Sequence, residues 1–265
     1  MLKTLSFIIS FYGMTIIPVF SQSLLNVAKL DKQLVQVDSV LYAAAHEVTN
    51  AEYSLFWESA KSDPKLSKIA AIDTMGWNEC LKGVAGMSAY HRHKAFQEYP
   101  VVNISHQAAV AYCEWLTKQY NNAPKKKHTN VVFRLPNTIE WQNAARGGQQ
   151  GAMYAWEGVD VTDKKGNYLC NFRDISTTLR IPQSKNDKDN QPADHYLVTA
   201  PVDSYHPNKL GLYNVCGNAS EMVAEKGFAK GGSWYSPREK VQIVQSEYYK
   251  KSEPYIGFRV FMEVK

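Results

Sequence analysis

The sequence lacks several features that would assign it to common classes. Its four cysteines include no C-x-x-C pair, which argues against a zinc-ribbon or thioredoxin-like motif. The 30 basic and 25 acidic residues are interleaved, apart from a lysine triplet at 125–127, so there is no basic stripe and we expect no nucleic-acid partner. No repeat or low-complexity tract is present. A chain of 265 residues that is 45% apolar and 12% aromatic is instead expected to fold around a core.

The longest apolar run lies at the N-terminus. Lys3 precedes LSFIISFYGMTIIPVF, with Val19 and Ser21 at the −3 and −1 positions of a cleavage site. This pattern is typical of a secretory signal peptide, and the run is too short and too interrupted to span a bilayer stably. We therefore predict a signal peptide at 1–21 and an exported protein, periplasmic or extracellular and associated with the cell envelope, with no transmembrane segment in the mature chain.

Three helices are predicted from capping residues and apolar periodicity. They begin at Thr49 or Asn50, at Ser105 and at Asn137, and the last ends at Gly147. No period is evident from 61 to 86, and 148–230 has the composition of loops. Strands are predicted at 34–37, 99–104, 241–244 and 255–260. The simplest interpretation is a single α+β domain at 34–265 with few long elements.

The stretch 211–236, GLYNVCGNASEMVAEKGFAKGGSWYS, combines oxygen-bearing side chains with glycines. Asn214, Asn218 and Glu221 offer the oxygen ligands that a hard cation prefers. Gly231 and Gly232 allow close approach of the backbone to another group. The stretch by itself is also compatible with a plain loop.

Six segments together resemble the formylglycine-generating enzyme family, the sulfatase-modifying factor domain. They occur in the family's order and cover nearly all of the mature chain, and the pattern R-L-P-x-x-x-E-W-x-x-A-A-R-G-G is the most specific. The resemblance implies a variant of the C-type lectin fold with little regular secondary structure. The segments are EVTNAEYSLFWE, YPVVNISHQAAVAYCEWL, FRLPNTIEWQNAARGG, TAPVDSYHPNKLGLYNVCGNASE, KGGSW and GFRV.

The resemblance also implies two calcium sites. All donors in both sites are oxygens, with one carboxylate in each, which is typical of calcium rather than zinc or copper. The implied ligands are Asn171, Phe172, Asp194 and Tyr196 in the first site and Asn214, Gly217, Ala219 and Glu221 in the second.

The chain departs from the family at the copper site. Active relatives bind copper through two cysteines after G-G-S, and those positions are held here by Ser236 and Val241. A hydroxyl is a poor ligand for Cu(I), and an isopropyl group is no ligand at all. We therefore expect no bound copper, no formylglycine-generating oxidase activity and no catalytic residue at these vestigial positions.

The sequence gives little support for a serine nucleophile or for another metal site. Ser236 would need a paired base to act as a nucleophile, and the sequence nominates none. His91 and His93 would share one face of a strand, but a metal site would need a third ligand. The H-x-x-x-H-x-E motif of iron-dependent relatives is missing.

The cysteines leave alternatives open. An exported chain with Cys80, Cys113, Cys170 and Cys216 permits up to two disulfides in three connectivities. Cys113 lacks the C-terminal partner that some relatives have, because that position is Val260, so we expect a buried free thiol. A Cys170–Cys216 disulfide is an alternative that would join the two predicted calcium loops.

Together these features predict an exported, non-catalytic pseudoenzyme that acts as a calcium-stabilised binding or scaffold module. Its partner would be a protein or peptide in the cell envelope, in a complex similar to those of gliding motility and type 9 secretion. The alternative is a metal-dependent oxidative tailoring enzyme whose chemistry differs from that of the copper oxidase.

Overall fold

The computed structural model describes residues 25–81, 87–173 and 196–265. The predicted signal peptide and Asp194 lie outside these residues. The helices are α1 (Val27–Gln33), α2 (Asn50–Ala60), α3 (Pro64–Ile69), α4 (Trp77–Cys80), α5 (His106–Asn122) and α6 (Thr138–Arg146). The strands are β1 (Leu34–Gln36), β2 (Leu41–Ala44), β3 (Val131–Arg134), β4 (Ser220–Met222), β5 (Phe228–Lys230), β6 (Ser246–Tyr248), β7 (Ile256–Gly257) and β8 (Phe261–Val264). The prediction of a mixed α+β fold with little regular structure is confirmed.

The three predicted helices are confirmed, together with the local interactions that start them. Thr49 accepts a hydrogen bond from the backbone N–H of Glu52 and donates its own N–H to the Glu52 carboxylate, which forms a capping box for α2. Ser105 caps α5 and Asn137 caps α6 in the same way through side-chain oxygens. Gly147 ends α6 in a left-handed conformation, φ +59°.

The strands form two four-stranded sheets. The first has the order β1-β2-β8-β3 and is antiparallel throughout, and the second has the order β6-β5-β4-β7. In the second sheet β4 pairs with β7 in parallel, and its other pairings are antiparallel. Because β7 belongs to one sheet and β8 to the other, the segment between them connects the two sheets.

The main core lies between α2, α5 and the first sheet. The buried Tyr112 ring contacts the rings of Tyr53, Phe56 and Phe258 at centroid distances of 5.9, 5.8 and 5.3 Å. Cys113 is buried beside it with a free thiol, as predicted, and burial raises the pKa of that thiol. All four cysteines have free thiols, so the alternative Cys170–Cys216 disulfide is not formed.

Two strand predictions were wrong. Segment 99–104 forms only a single bridge, between Pro100 and Thr49, because Asn103 adopts a left-handed conformation (φ +57°) that ends the extended run. Segment 241–244 follows a short 3₁₀ helix at 238–240 and forms no strand. Val241 and Ile243 are buried without strand pairing, Val244 is exposed, and the backbone N–H of Ile243 bonds to the carbonyl of Met153.

Boundaries elsewhere also differ from the predictions. Segment 255–260 contains only β7, and the next strand begins at Phe261. Segment 61–86, which has no sequence period, contains α3 and α4. Helix α3 begins after Asp63, whose carboxylate accepts the N–H groups of Lys65 and Leu66, with Pro64 in the first turn. These cap residues are a local signal of a helix start in a segment without apolar periodicity.

Candidate functional site

The stretch 211–236 surrounds a buried polar network. Asn214 and Asn218 adopt left-handed conformations, with φ +52° and +62°, and both direct their side chains to Glu47 on the loop after β2. The Nδ2 atom of Asn218 lies 2.8 Å from Glu47 Oε1, and that of Asn214 lies 3.4 Å from Oε2. The loop is therefore attached to the first sheet through side chains that are all buried.

A second buried carboxylate, Glu221 on β4, forms an ion pair with Arg259. The Nη2–Oε1 distance is 2.6 Å, and Nε lies 3.0–3.1 Å from the two carboxylate oxygens. Trp141 of α6 donates its indole N–H to Oε2 at 2.7 Å. The remaining N–H groups of Arg259 bond to the carbonyls of Ala44 and Tyr213. This arginine thus joins both sheets and the central loop.

The network holds two carboxylates and one guanidinium. Burial raises the pKa of Glu47 to about 8, an effect that Arg259 opposes and that the charge of Glu221 reinforces. Glu47, Trp141 and Arg259 lie in three separate family motifs, and nothing local in the sequence indicates that they meet.

The first predicted calcium set is only partly described, since Asp194 lies outside the described residues. Asn171 is buried and donates its Nδ2 to the carbonyl of Val198 at 2.7 Å, and its buried Oδ1 atom has no hydrogen-bond partner among the described residues. Phe172 is buried and Tyr196 is exposed. An orphaned acceptor on a predicted ligand fits a cation, because burial of an unpaired oxygen is otherwise costly.

The second predicted set lies against the first. The carbonyl of Asn171 accepts the N–H of Asn218 at 2.8 Å, and a Cβ atom at Gly217 would stand 2.4 Å from that carbonyl oxygen. Ala219 is buried beside them. Both carboxylate oxygens of Glu221 already accept N–H donors from Arg259 and Trp141, so this set fits a cation less well than the first.

The calcium sites therefore remain predictions. In the described ranges, no group of three or more His, Cys, Asp or Glu side chains is placed to hold a metal ion. The predicted sites depend instead mainly on backbone and amide oxygens.

Ser236 and Val241, the positions implied for copper cysteines, are buried against Gly232 and Ser233. The Ser236 Oγ accepts the backbone N–H of Ser233 at 3.0 Å and lies 3.0 Å from its Oγ. Val241 is fully buried, and a Cβ at Gly232 would stand 2.9 Å from its Cα. The pair offers no soft donor, so these residues do not fit copper.

Nucleophilic chemistry at this point also finds no support. Within the part of the chain that the structure describes, no histidine or carboxylate forms a hydrogen bond with Ser236, so no base is placed to activate it. Cys170 and Cys216 lie in the same buried cluster as Val241. Burial raises the pKa of Cys216 to about 12 and that of Cys170 well above its ordinary value, which makes both thiols inert.

His91 and His93 do not form a shared site. The segment is a turn followed by a 3₁₀ helix at 94–96 rather than a strand. His91 is buried and bonds through Nδ1 to Asn50 Oδ1 at 2.9 Å, whereas His93 is exposed and accepts the N–H of Ala95. Burial lowers the pKa of His91 to about 3, so its ring is neutral near pH 7.

The surface above Ser236 carries stacked rings and a cation, which we call the tyrosine strip: Arg173, Tyr235 and Tyr255. The guanidinium of Arg173 lies 4.9 Å from the centroid of Tyr235, which stacks on Tyr255 at 5.3 Å and 17°. The N–H of Arg173 bonds to the carbonyl of Ser236. The strip is therefore attached to the segment that carries Ser236, while its side chains reach solvent.

A buried tryptophan supports the tyrosine strip from below. Trp234 stacks on Trp77 at a centroid distance of 6.1 Å and donates its indole N–H to the carbonyl of Pro254 at 3.1 Å. It is 6% exposed. Trp234 is therefore a structural residue, whereas the side chains of the strip are accessible.

A family model for the sulfatase-modifying factor enzyme 1-like domain matches residues 29–264. The chain therefore belongs to this family, which confirms the resemblance inferred from its motifs. It is 36% identical over 139 residues to the formylglycine-generating enzyme of Streptomyces coelicolor, covering 52% of this chain and 33% of that protein. The Bos taurus enzyme is 29% identical over 208 residues, 69% of this chain and 48% of that protein. The inactive C-alpha-formylglycine-generating enzyme 2 of Bos taurus is 33% identical over 146 residues, 52% and 39% of the two chains.

Solved structures agree on the fold. PvdO from Pseudomonas aeruginosa matches with a TM-score of 0.57 and 19% identity, over 84% of this chain and 80% of that one. CarF matches with a TM-score of 0.53 and 22% identity, over 85% and 87% of the two chains. At these identities the likeness concerns the fold alone. The chain spans less than half the length of the three curated relatives described above.

Proposed function

We propose that this protein is a non-catalytic member of the sulfatase-modifying factor family that binds a protein or peptide partner in the cell envelope. The observation that carries the proposal is the state of the two vestigial positions. Ser236 is hydrogen-bonded to Ser233, and Val241 is packed into the core. A residue that is packed in the core, or whose hydrogen bonds are made within the protein, forms part of the structural framework of the fold rather than of a reaction centre.

The framework around these positions supports binding. The tyrosine strip presents two half-exposed rings and one exposed guanidinium, and tyrosine and arginine are enriched in the parts of interfaces that contribute most to affinity. The rings are held by stacking and by the buried Trp234 below, so little side-chain entropy is lost when a partner binds. The strip suits an extended peptide with an acidic or aromatic group opposite Arg173.

The curated relatives reported above include two formylglycine-generating enzymes and one protein named as inactive. One is described as an inactive formylglycine-generating enzyme, so loss of the oxidase activity within the family is compatible with a retained fold. Our proposal places this chain with such members, as a scaffold or binding module stabilised by calcium at the Asn171 set. An envelope complex of the gliding-motility or type 9 secretion kind is the setting we propose.

Export is part of the same proposal and rests on the sequence at 1–21. None of the helices in the described residues is both long and apolar enough to cross a membrane. Fractionation of cells that express the full chain would place it, and recovery of an uncleaved chain in the cytoplasm would contradict export.

The proposal is tested by capturing partners from envelope extracts with the purified protein. Tyr235→Ala and Arg173→Gln should reduce capture of a specific partner without changing stability much, because both side chains are at the surface. Tyr248→Ala is the matched control, since Tyr248 is an exposed tyrosine on β6 that packs on Phe228 away from the strip. Equal capture by all four proteins would contradict the tyrosine strip as the binding surface.

Metal analysis decides between this proposal and an oxidative enzyme. Protein purified without chelators should contain calcium and no stoichiometric redox metal. Stoichiometric iron or copper would overturn the non-catalytic proposal, whatever the result of the capture experiment.

A further inference from the structure

One surface of the fold gathers lysines from two separate parts of the sequence, helix α1 and the loop that follows α5. We call this surface the basic face. It consists of Lys29, Lys32, Lys125, Lys126 and Lys127. Lys126 is half-buried, and the other four side chains are exposed. The lysine triplet of the loop is visible in the sequence, but its position beside the lysines of α1 is a property of the fold.

Asp31 of α1 holds the two parts together. Its Oδ1 atom accepts the hydroxyl of Tyr120, and its Oδ2 atom accepts the backbone N–H of Lys127 at 2.9 Å. The backbone N–H of His128 bonds to the same tyrosine oxygen at 3.2 Å. The loop is therefore attached to α1 at a fixed position, and Lys32 follows Asp31 on the exposed side of the helix.

The loop is also fixed at its two ends. The side chain of Asn121 donates to the carbonyl of Val131 at 2.7 Å and accepts the N–H of that residue at 3.1 Å. Lys126 Nζ donates to the carbonyls of Asn121 and Ala123, both at 2.9 Å, where α5 ends. The loop lysines are thus presented on an ordered backbone, so a partner binds without having to order it first.

Little negative charge lies near the basic face. Among the described residues, none of its five lysines forms an ion pair with a carboxylate. Both oxygens of Asp31 already accept hydrogen bonds from other groups. A second acid, Glu52, lies on the side of Lys29: burial raises the pKa of this carboxyl, and the charge of Lys29 opposes the rise. The face therefore keeps a net positive charge.

The basic face also accounts for the excess positive charge of the chain. The sequence has 30 basic and 25 acidic residues, and Lys3 belongs to the predicted signal peptide. Apart from Lys3, Asp31 and the five lysines of the face, the chain contains 24 basic and 24 acidic residues. Because these balance, a negatively charged surface is attracted to the basic face rather than to the protein as a whole.

We propose that the basic face binds the surface of a bilayer that contains anionic phospholipids. All five of its cations are lysines. Lysine is depleted in protein–protein interfaces, where arginine and aromatic residues are enriched, and base recognition in nucleic acids relies most often on arginine. A cluster of four to eight basic residues on a helix or beside a membrane segment is instead typical of attraction to anionic headgroups.

The position of α1 in the chain supports a membrane partner. Helix α1 begins at Val27, and the apolar run of the predicted signal peptide ends near Ser21. The residues at 22–26 span at most about 18 Å, so α1 leaves the export channel within that distance of the bilayer. This argument rests on the proposed export, whereas the argument from charge does not.

The test is co-sedimentation of the purified protein, residues 22–265, with lipid vesicles. Phosphatidylcholine vesicles that also contain phosphatidylglycerol should bind the protein at low ionic strength, and vesicles of phosphatidylcholine alone should not. Binding should be lost at about 0.5 M salt, because exposed charges are then screened. Equal binding to both kinds of vesicle, or binding that salt does not weaken, would overturn the inference.

A competing polyanion provides a second test of the partner. Tighter binding to a random-sequence oligonucleotide than to the anionic vesicles would assign the basic face to nucleic acid and would overturn the membrane assignment. The vesicles contain no protein, so the result does not depend on the tyrosine strip or on its partner.

Variants locate the binding on the fold. K32Q/K125Q/K127Q should weaken binding to the anionic vesicles about a hundredfold, since each lysine near such a surface contributes about fivefold. Lys126 is retained because its ammonium bonds to the end of α5. Thermal unfolding checks that the variant is folded.

The matched control is K164Q/K165Q/K240Q, which removes the same charge from exposed lysines on other loops. It should change vesicle binding little. Equal weakening by the two triple variants would mean that the net charge of the protein, rather than the basic face, attracts it to the vesicles, and this result would overturn the inference.

Discussion

Arg259 and Glu221 form an ion pair that is closed off from solvent, with 2.6 Å between Nη2 and Oε1 and each side chain 1% exposed. The pair links the segment between β7 and β8 to β4, and its remaining donors reach Ala44 and Tyr213. The attraction within a buried ion pair adds little net stability, because taking both charges out of water is costly. Removing only Arg259 would be strongly unfavourable, because it would leave an unpaired buried carboxylate.

We predict that Arg259→Met lowers the free energy of unfolding by about 3–5 kcal/mol, because Glu221 would then be a buried charge without its partner. Urea denaturation followed by circular dichroism measures the change. Lys61→Met is the control, since Lys61 forms an exposed pair with Glu58 and should cost at most about 1 kcal/mol. Equal effects in the two variants would contradict the importance of burial.

Gly232 approaches the backbone that carries Val241. A Cβ atom there would stand 2.7 Å from the carbonyl oxygen of Lys240, and φ is +66°. Gly232→Ala should therefore destabilise the fold by about 2–5 kcal/mol, from left-handed strain together with the clash. Gly166→Ala has a positive φ of +85° with no atom within 4 Å, so it should lose only about 1–2 kcal/mol. Thermal unfolding of both variants separates the clash from the strain.

His91 should make stability depend on acidic pH. Its pKa is lowered from 6.5 to about 3 by burial and by Arg92, so the unfolded state binds more protons between these values. The stabilisation is complete above pH 6.5 and is lost as pH falls toward 3, with a slope of up to about 1.4 kcal/mol per pH unit. Urea unfolding at several pH values measures it.

The neighbouring histidine provides the control for this prediction. His91→Phe should remove its share of the slope, and His93→Gln should leave the slope unchanged because His93 is exposed. An unaltered slope in His91→Phe would contradict the prediction and would mean that other groups, such as the half-buried His46 whose pKa is lowered to about 4, account for all of the acid sensitivity.

Calcium should raise the melting temperature, because a ligand that binds only the native state stabilises it by mass action, by about 2.7 kcal/mol at a hundred times the dissociation constant. Asn171→Leu should reduce or abolish the shift, since it removes the orphaned Oδ1. Asn167→Ala is the control, because Asn167 is an exposed asparagine bonded to Asp163. A melting temperature insensitive to both calcium and chelator would contradict the calcium prediction.

Restoring thiols should restore affinity for copper. We expect S236C/V241C to bind one Cu(I) and the single variants to bind it much more weakly, because two thiolates supply the soft donors that the native side chains lack. Competition against a chromogenic Cu(I) chelator measures the affinity. Stoichiometric Cu(I) binding by the unmodified protein would contradict our interpretation of the vestigial positions.

What the sequence alone determined was largely local. The caps at Thr49, Ser105 and Asn137 specified the three helices, because a capping residue and its first turn lie within three or four positions of each other. The family's motifs, in their order along the sequence, were sufficient to assign the chain to the family. The strand predictions at 99–104 and 241–244 were wrong, because these short apolar runs pack as loops and do not pair as β-strands.

The tertiary structure alone decided which charged and polar side chains contact each other. Glu221 and Arg259 are 38 residues apart, and Glu47 and Asn218 are 171 apart, so no local pattern could pair them. The same holds for the stretch 211–236. Its sequence suggested oxygen ligands for a cation, but in the fold its carboxylate, Glu221, pairs with Arg259. The buried oxygen without a hydrogen-bond partner among the described residues is instead Oδ1 of Asn171, outside that stretch. Burial explains these pairings, because a polar group removed from water raises the free energy of the fold unless it forms a hydrogen bond or ion pair. The partner can come from any part of the chain.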